Sequence, residues 1–145
     1  MDQRPIFTNP SEVHVPVGKY SHLVSVAPAG LLFLAGQIAV DTDGNAVGEG
    51  DIAAQTRETY RNIGVVLGSV GASFSDVVQF TTYVVGQELV RPYLAARTAV
   101  FEELYPDGIY PPNTLLVVSG LVREEYLLEV TTVAATTGSQ AQGPS

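Results

Sequence analysis

The spacing of apolar and polar positions changes period repeatedly along the chain. Residues 21–27 (SHLVSVA) and 31–35 (LLFLA) are short apolar runs flanking Pro28-Ala29-Gly30, a pattern that predicts two strands joined as a β-hairpin. The run Asp41-Thr42-Asp43-Gly44-Asn45 reads as a tight turn. Gly50-Asp51 then offers an N-cap, and Ile52, Ile63, Val66, Leu67 and Val70 fall on helical spacing, with Gly68 and Gly71 marking the helix end. Residues 77–85 (VVQFTTYVV) alternate as a strand, with Val78, Phe80 and Val84 on one face and Gln79, Thr81 and Tyr83 on the other. A second helix is predicted from about Glu88 to Tyr105, with Val90, Leu94, Phe101 and Leu104 inward and Pro92 tolerated in its first turn. Pro111-Pro112 forces an extended approach to residues 113–118 (NTLLVV), and residues 127–135 (LLEVTTVAA) form the last strand.

The resulting order is β-β-α-β-α-β-β, an α+β domain spanning 1–135, followed by a small, polar segment at 136–145 that reads as a disordered tail. Two helices cover one face of a sheet. The other face would carry Gln79, Thr81 and Tyr83, joined by Leu127, Glu129, Thr131 and Val133. That row is too apolar for plain solvent exposure, and subunit contact is the economical reading.

Composition narrows the function classes. The hydrophobic fraction of 46% supports a core without staples, and the absence of cysteine removes disulfides and thiolate metal sites. The two histidines, His14 and His22, have no acidic spacing motif, so no metal site or cofactor is expected. No signal-peptide pattern opens the chain, and no apolar stretch approaches a membrane span, so a cytoplasmic protein is expected with no membrane partner. The net charge is −8, and the seven basic residues are scattered rather than gathered in a stripe. Binding to nucleic acid phosphates relies on such stripes, so no nucleic-acid partner is expected.

Several short motifs then occur in order. They are Gly18-Lys19-Tyr20-Ser21-His22, Phe33-Leu34-Ala35-Gly36-Gln37-Ile38, Gly50-Asp51 with Gln55 and Asn62, Asp76-Val77-Val78 with Thr81-Thr82-Tyr83-Val84, Pro112-Asn113-Thr114, and Leu128-Glu129-Val130. Each is weak alone. Their order and spacing from about residue 6 to residue 135 make the chain resemble the RidA/YjgF family, also known as L-PSP endoribonucleases. The resemblance implies a chorismate-mutase-like fold and a homotrimer with three ligand clefts at the subunit interfaces.

It also implies chemistry on small molecules. The best-known activity of the family hydrolyses reactive enamines and imines to ketoacids and ammonia. A guanidinium clamps the substrate carboxylate, a glutamate positions water or moves a proton, and backbone groups near the Gly-Gln turn complete the cradle. The glutamate is retained as Glu129. The arginine position reads Asn113, a neutral amide that supplies no fixed charge, so hydrolysis of 2-imino acids is expected to be negligible. Glu129 is thus the candidate catalytic residue. Tyr20, His22, Ala35, Gly36, Gln37, Asn113 and Thr114 are the candidate ligand-binding residues. Each has a plainer reading: a paired strand glutamate, a turn-to-strand asparagine, a structural histidine, a glycine that only permits a bulge. Tyr83 reads as a cleft wall or an interface aromatic. Arg123 is the nearest arginine in sequence to the lost position but sits in a charged turn, and Arg97 is expected to pair with Glu102 or Glu103. A non-catalytic ligand-binding or regulatory trimer is the alternative function, and an endoribonuclease a distant one.

Overall fold

The computed structural model describes residues 5–136. The predicted tail beyond residue 136 lies outside the described residues. Thr136 itself does not belong to a tail: it closes the last strand, 2% exposed and paired with Gly30.

Two sheets and two helices make up the domain. A small antiparallel pair joins β1 (Ile6–Thr8) to β2 (Leu23–Ser25). The main sheet has the order β3-β6-β4-β5, from β3 (Gly30–Gln37), β4 (Val77–Val85), β5 (Asn113–Val118) and β6 (Leu128–Thr136). β4 and β5 run parallel, and the other two pairings are antiparallel. The crossover between β4 and β5 is α2 (Val90–Leu104), as a parallel connection requires. α1 (Ile52–Gly68) connects β3 to β4, and both helices lie on one sheet face.

The expected hairpin between the first two runs does not form. β2 pairs with β1, whose Ile6-Phe7-Thr8 had suggested no element, while β3 pairs with β6. The Pro28-Ala29-Gly30 turn signal is real, but a turn fixes where the chain bends and not which strand it meets. β6 offers β3 a long apolar partner, and Ala29 N–H donates to the Thr136 carbonyl at 2.9 Å to seal that choice.

α1 starts as its sequence suggests, with the Ala54 N–H donating to the Asp51 carboxylate at 3.0 Å. Its buried face is Ile52, Gln55, Thr56, Thr59, Tyr60, Ile63 and Leu67, so Val66 points outward, contrary to expectation. Four polar or amphipathic residues on that face concealed it from a purely apolar count. In α2 the expected Phe101 is buried, but its fully packed companions are Tyr93 and Arg97. A short 3-10 turn over Gln87–Leu89 precedes that helix. In β4 a register shift between Val77 and Gln79 turns Val77 into the core and leaves Val78 half-buried. Tyr60, Phe80 and Phe101 pack edge-on or tilted at the centre, with ring centroids 5.4 to 5.8 Å apart.

The open face carries the predicted row except for Leu127, which precedes β6 and packs against the core. Tyr83, Thr81 and Gln79 stand opposite Glu129, Thr131 and Val133. Leu31, Phe33 and Leu116 extend it with large apolar side chains that are 49%, 75% and 41% exposed. Among the described residues, no helix is long and apolar enough to cross a membrane.

Candidate functional site

Two of the helix amides set the ends of the strands that carry the candidate residues. Gln55 is fully buried; its Nε2 donates to the carbonyls of Glu125 at 2.8 Å and Gly48 at 3.2 Å, and its Oε1 accepts from Leu127 N–H at 2.9 Å. It thereby anchors the chain just before Glu129. Asn62 Nδ2 donates to the carbonyls of Ile38 and Val40 at 3.0 and 2.9 Å, fixing the chain just after Gln37.

Between these anchors, Gly36 meets Glu129. The ladder between β3 and β6 slips between Leu34 and Gln37, and Gln37 Nε2 folds back onto the Ala35 carbonyl at 3.1 Å. At that bulge the Glu129 side chain crosses the α-carbon of Gly36. A β-carbon there would lie 2.9 Å from Glu129 Cδ. The absence of a β-carbon at Gly36 leaves the room that the Glu129 side chain fills. Glu129 is half-buried, and among the described residues no cation or hydrogen-bond donor pairs with its carboxylate.

A second group of candidates lines a cavity of about 360 Å³ at the β5 edge, enclosed by Tyr20, Gly18, Asn113, Arg97, Leu94 and Leu115 among others. The loop bearing Tyr20 is tied down by its neighbours. Ser21 Oγ donates to the Tyr110 carbonyl at 2.6 Å, and Lys19 Nζ donates to the Tyr110 hydroxyl at 2.9 Å. Asn113 Oδ1 accepts from Thr82 Oγ1 at 3.1 Å, whereas Asn113 Nδ2 is buried without a partner.

Arg97 completes this cavity and was not among the expected ligand-binding residues. It is 6% exposed, so the expected surface pair with Glu102 or Glu103 does not form. Its guanidinium stands 5.7 and 5.5 Å from the centroids of the Tyr93 and Phe101 rings, and its Nε has no hydrogen-bond partner. The signal was present in the sequence: Arg97 falls three residues after Leu94 and four before Phe101, in an inward slot of the apolar stripe. Burial pushes the Tyr93 hydroxyl up in pKa, with the Arg97 cation opposing, and burial pushes Tyr60 well up. Both phenols therefore stay neutral and share a hydrogen bond of 2.9 Å beneath the cavity. Arg123 is exposed and paired with Glu125 at 2.7 Å, away from Asn113.

The candidates do not converge within one protomer. Asn113 stands level with Phe80 and shares its helix-covered face, whereas Glu129 stands opposite Tyr83 on the open face. The two α-carbons are separated by three residues of strand and two strand spacings, about 10 Å in each direction. Thr114 is on the open face with Thr81. His22 lies apart from the cavity lining, with its Nε2 2.7 Å from the His14 carbonyl and its ring edge-on to Tyr20 at 5.6 Å. Among the described residues no group of His, Cys, Asp and Glu is arranged to hold a metal ion.

The fold has known counterparts. The chain is 29% identical to the RutC family protein slr0709 of Synechocystis sp. over 86% of this chain and 91% of that protein. It is 37% identical to the RutC family protein PYRAB12510 of Pyrococcus abyssi, over 57% of this chain and 62% of that relative's length. In three dimensions it is similar to YyfB of Yersinia pestis, a protein of unknown function of the conserved Rid family. The TM-score is 0.82 at 32% identity, over 91% of this chain and 98% of that one. The family model described as Endoribonuclease L-PSP matches residues 11–136, and the chain belongs to that family, the RidA/YjgF family.

Proposed function

We propose that this protein is a small-molecule enzyme working at clefts between the subunits of a homotrimer. Its reaction is hydrolysis, deamination or tautomerisation of a reactive enamine- or imine-like metabolite, with Glu129 handling the proton. The observation that carries this reading is the unpaired Glu129 carboxylate, laid across Gly36 in a strand with no other charge. A carboxylate with no partner in its own protomer is free to meet a ligand, and a proton-transfer role would use it.

The split of the candidates between two sheet faces supports the interface placement. A small ligand in the β5-edge cavity cannot reach Glu129 of the same protomer through the sheet. A neighbouring copy packed on the open face, over Leu31, Phe33 and Leu116, would bring its own Glu129 to that edge. Burying such side chains contributes about 1.5–3 kcal/mol each, enough to drive assembly.

Asn113 stands where the resemblance puts the carboxylate-clamping arginine, so the standard 2-imino acid deaminase reaction is not proposed. The same neutral amide favours, as a second reading, a trimer that binds its ligand without turning it over. RNA cleavage fits poorly with a net charge of −8. The test is release of ammonia and carbonyl product from a panel of enamines and imines generated in situ. Acceleration that disappears in Glu129→Gln supports the enzyme reading. Saturable ligand binding with no acceleration across the panel would favour the binding protein.

A further inference from the structure

We propose that Arg97, reaching down from α2, is the anion-binding residue of the β5-edge cavity. There it holds the carboxylate of a small, otherwise apolar ligand against the Asn113 amide. This rests on that cavity being the ligand site of the cleft proposed above.

The first ground is an uncompensated charge. Arg97 is 6% exposed, and no carboxylate among the described residues pairs with it. The Tyr93 and Phe101 rings offset part of the desolvation through their π faces, and the neutral Tyr93 hydroxyl interacts with the guanidinium, but neither supplies a counter-charge. Its Nε consequently has no partner.

The second ground is a second orphan donor at the same place. The Thr82 hydroxyl occupies Asn113 Oδ1, which fixes the amide orientation and turns Nδ2 away from Thr82. Nδ2 is buried and unpaired as well. Both atoms are closed off from solvent, but their residues line the same cavity, so an acceptor bound there would satisfy both after a small shift of the two side chains.

The rest of the cavity describes the ligand. Val17, Val90, Leu94 and Leu115 form an apolar wall, and about 360 Å³ lies at the small end of ligand pockets. Gly18 lies against the guanidinium: a β-carbon there would sit 3.7 Å from Arg97 Nη2. Water or a neutral amide would satisfy the donors but leave the cation unbalanced, whereas a carboxylate does both. The cation that the family resemblance places on β5 is thus supplied from the helix layer instead. An anion held from α2 presents the remainder of the ligand to Glu129 from a different direction than one held from β5.

The test compares isobutyrate with its near-isostere isobutyramide by calorimetric titration of the full chain and of Arg97→Gln and Arg97→Lys. The unchanged protein should bind isobutyrate tighter by about tenfold or more. Arg97→Gln should erase the preference, and Arg97→Lys should keep part of it. If Arg97→Gln fails to fold, Asn113→Leu serves instead and should weaken isobutyrate by about tenfold. Equal binding of the two compounds, no saturable isobutyrate binding, or a preference that survives loss of the Arg97 charge would each overturn the assignment. The readout is binding, so it is independent of whether Glu129 proves catalytic.

Discussion

The Glu129 side chain occupies the space that a β-carbon on Gly36 would need, with Cδ and Cγ only 2.9 and 3.0 Å from that point. One residue's missing side chain thus determines where the other's carboxylate lies. Gly36→Ala should displace Glu129 and cost about 1–3 kcal/mol, the usual range for overpacking. The φ of Gly36 is not positive, so the loss would come from the contact and not from backbone strain. Chemical denaturation of Gly36→Ala and of Gly36→Ala/Glu129→Ala checks this: truncating Glu129 should recover most of the loss.

Glu129→Gln is nearly isosteric and keeps the side chain's hydrogen-bonding capacity. Fold and assembly should therefore survive. General-base or proton-shuttle chemistry should fall by about 10²–10⁴-fold in kcat on whichever enamine or imine the protein accelerates. Steady-state kinetics on the variant decide the point, and unchanged kcat would move the chemistry away from Glu129.

The open sheet face should be an interface. Phe33 is 75% exposed in the protomer, so Phe33→Asp should leave protomer stability within about 0.5 kcal/mol. In a trimer the same change would bury an unpaired charge. Sedimentation should show a trimer for the unchanged protein and a monomer for Phe33→Asp at micromolar concentration.

Asn113→Arg would restore the residue expected from the family resemblance, yet the cavity already holds the Arg97 guanidinium. A second cation would be forced beside a buried one. We expect a stability loss of about 2 kcal/mol or more and no gain in 2-imino acid hydrolysis. Thermal melting and a ketoacid-release assay on the same preparation check both halves. Asn113→Arg combined with Arg97→Gln should recover stability.

Much of this architecture was legible in the residues. The alternation in Val77–Val85 and the Asp51 cap gave β4 and the start of α1, because period and capping are local properties. Strand pairing is not local, so the turn at Pro28-Ala29-Gly30 could not reveal that β3 would choose β6 and β2 would choose β1. What sequence alone did not convey is that Asn113 and Glu129 fall on opposite faces, since this depends on how β5 and β6 each register against β4. Arginines usually face solvent, which favours a pair with Glu102 or Glu103, but the place of Arg97 in the Leu94 to Phe101 stripe turns it inward.

A crystal structure of the protein with isobutyrate bound tests the shared cleft most directly. The expected result is a trimer in which the carboxylate meets Arg97 and Asn113 Nδ2 of one protomer, while Glu129 of its neighbour faces the same ligand within about 3–4 Å. Isobutyrate bound with every Glu129 in the assembly out of reach, or an assembly that leaves the face bearing Phe33 and Glu129 open to solvent, would contradict it.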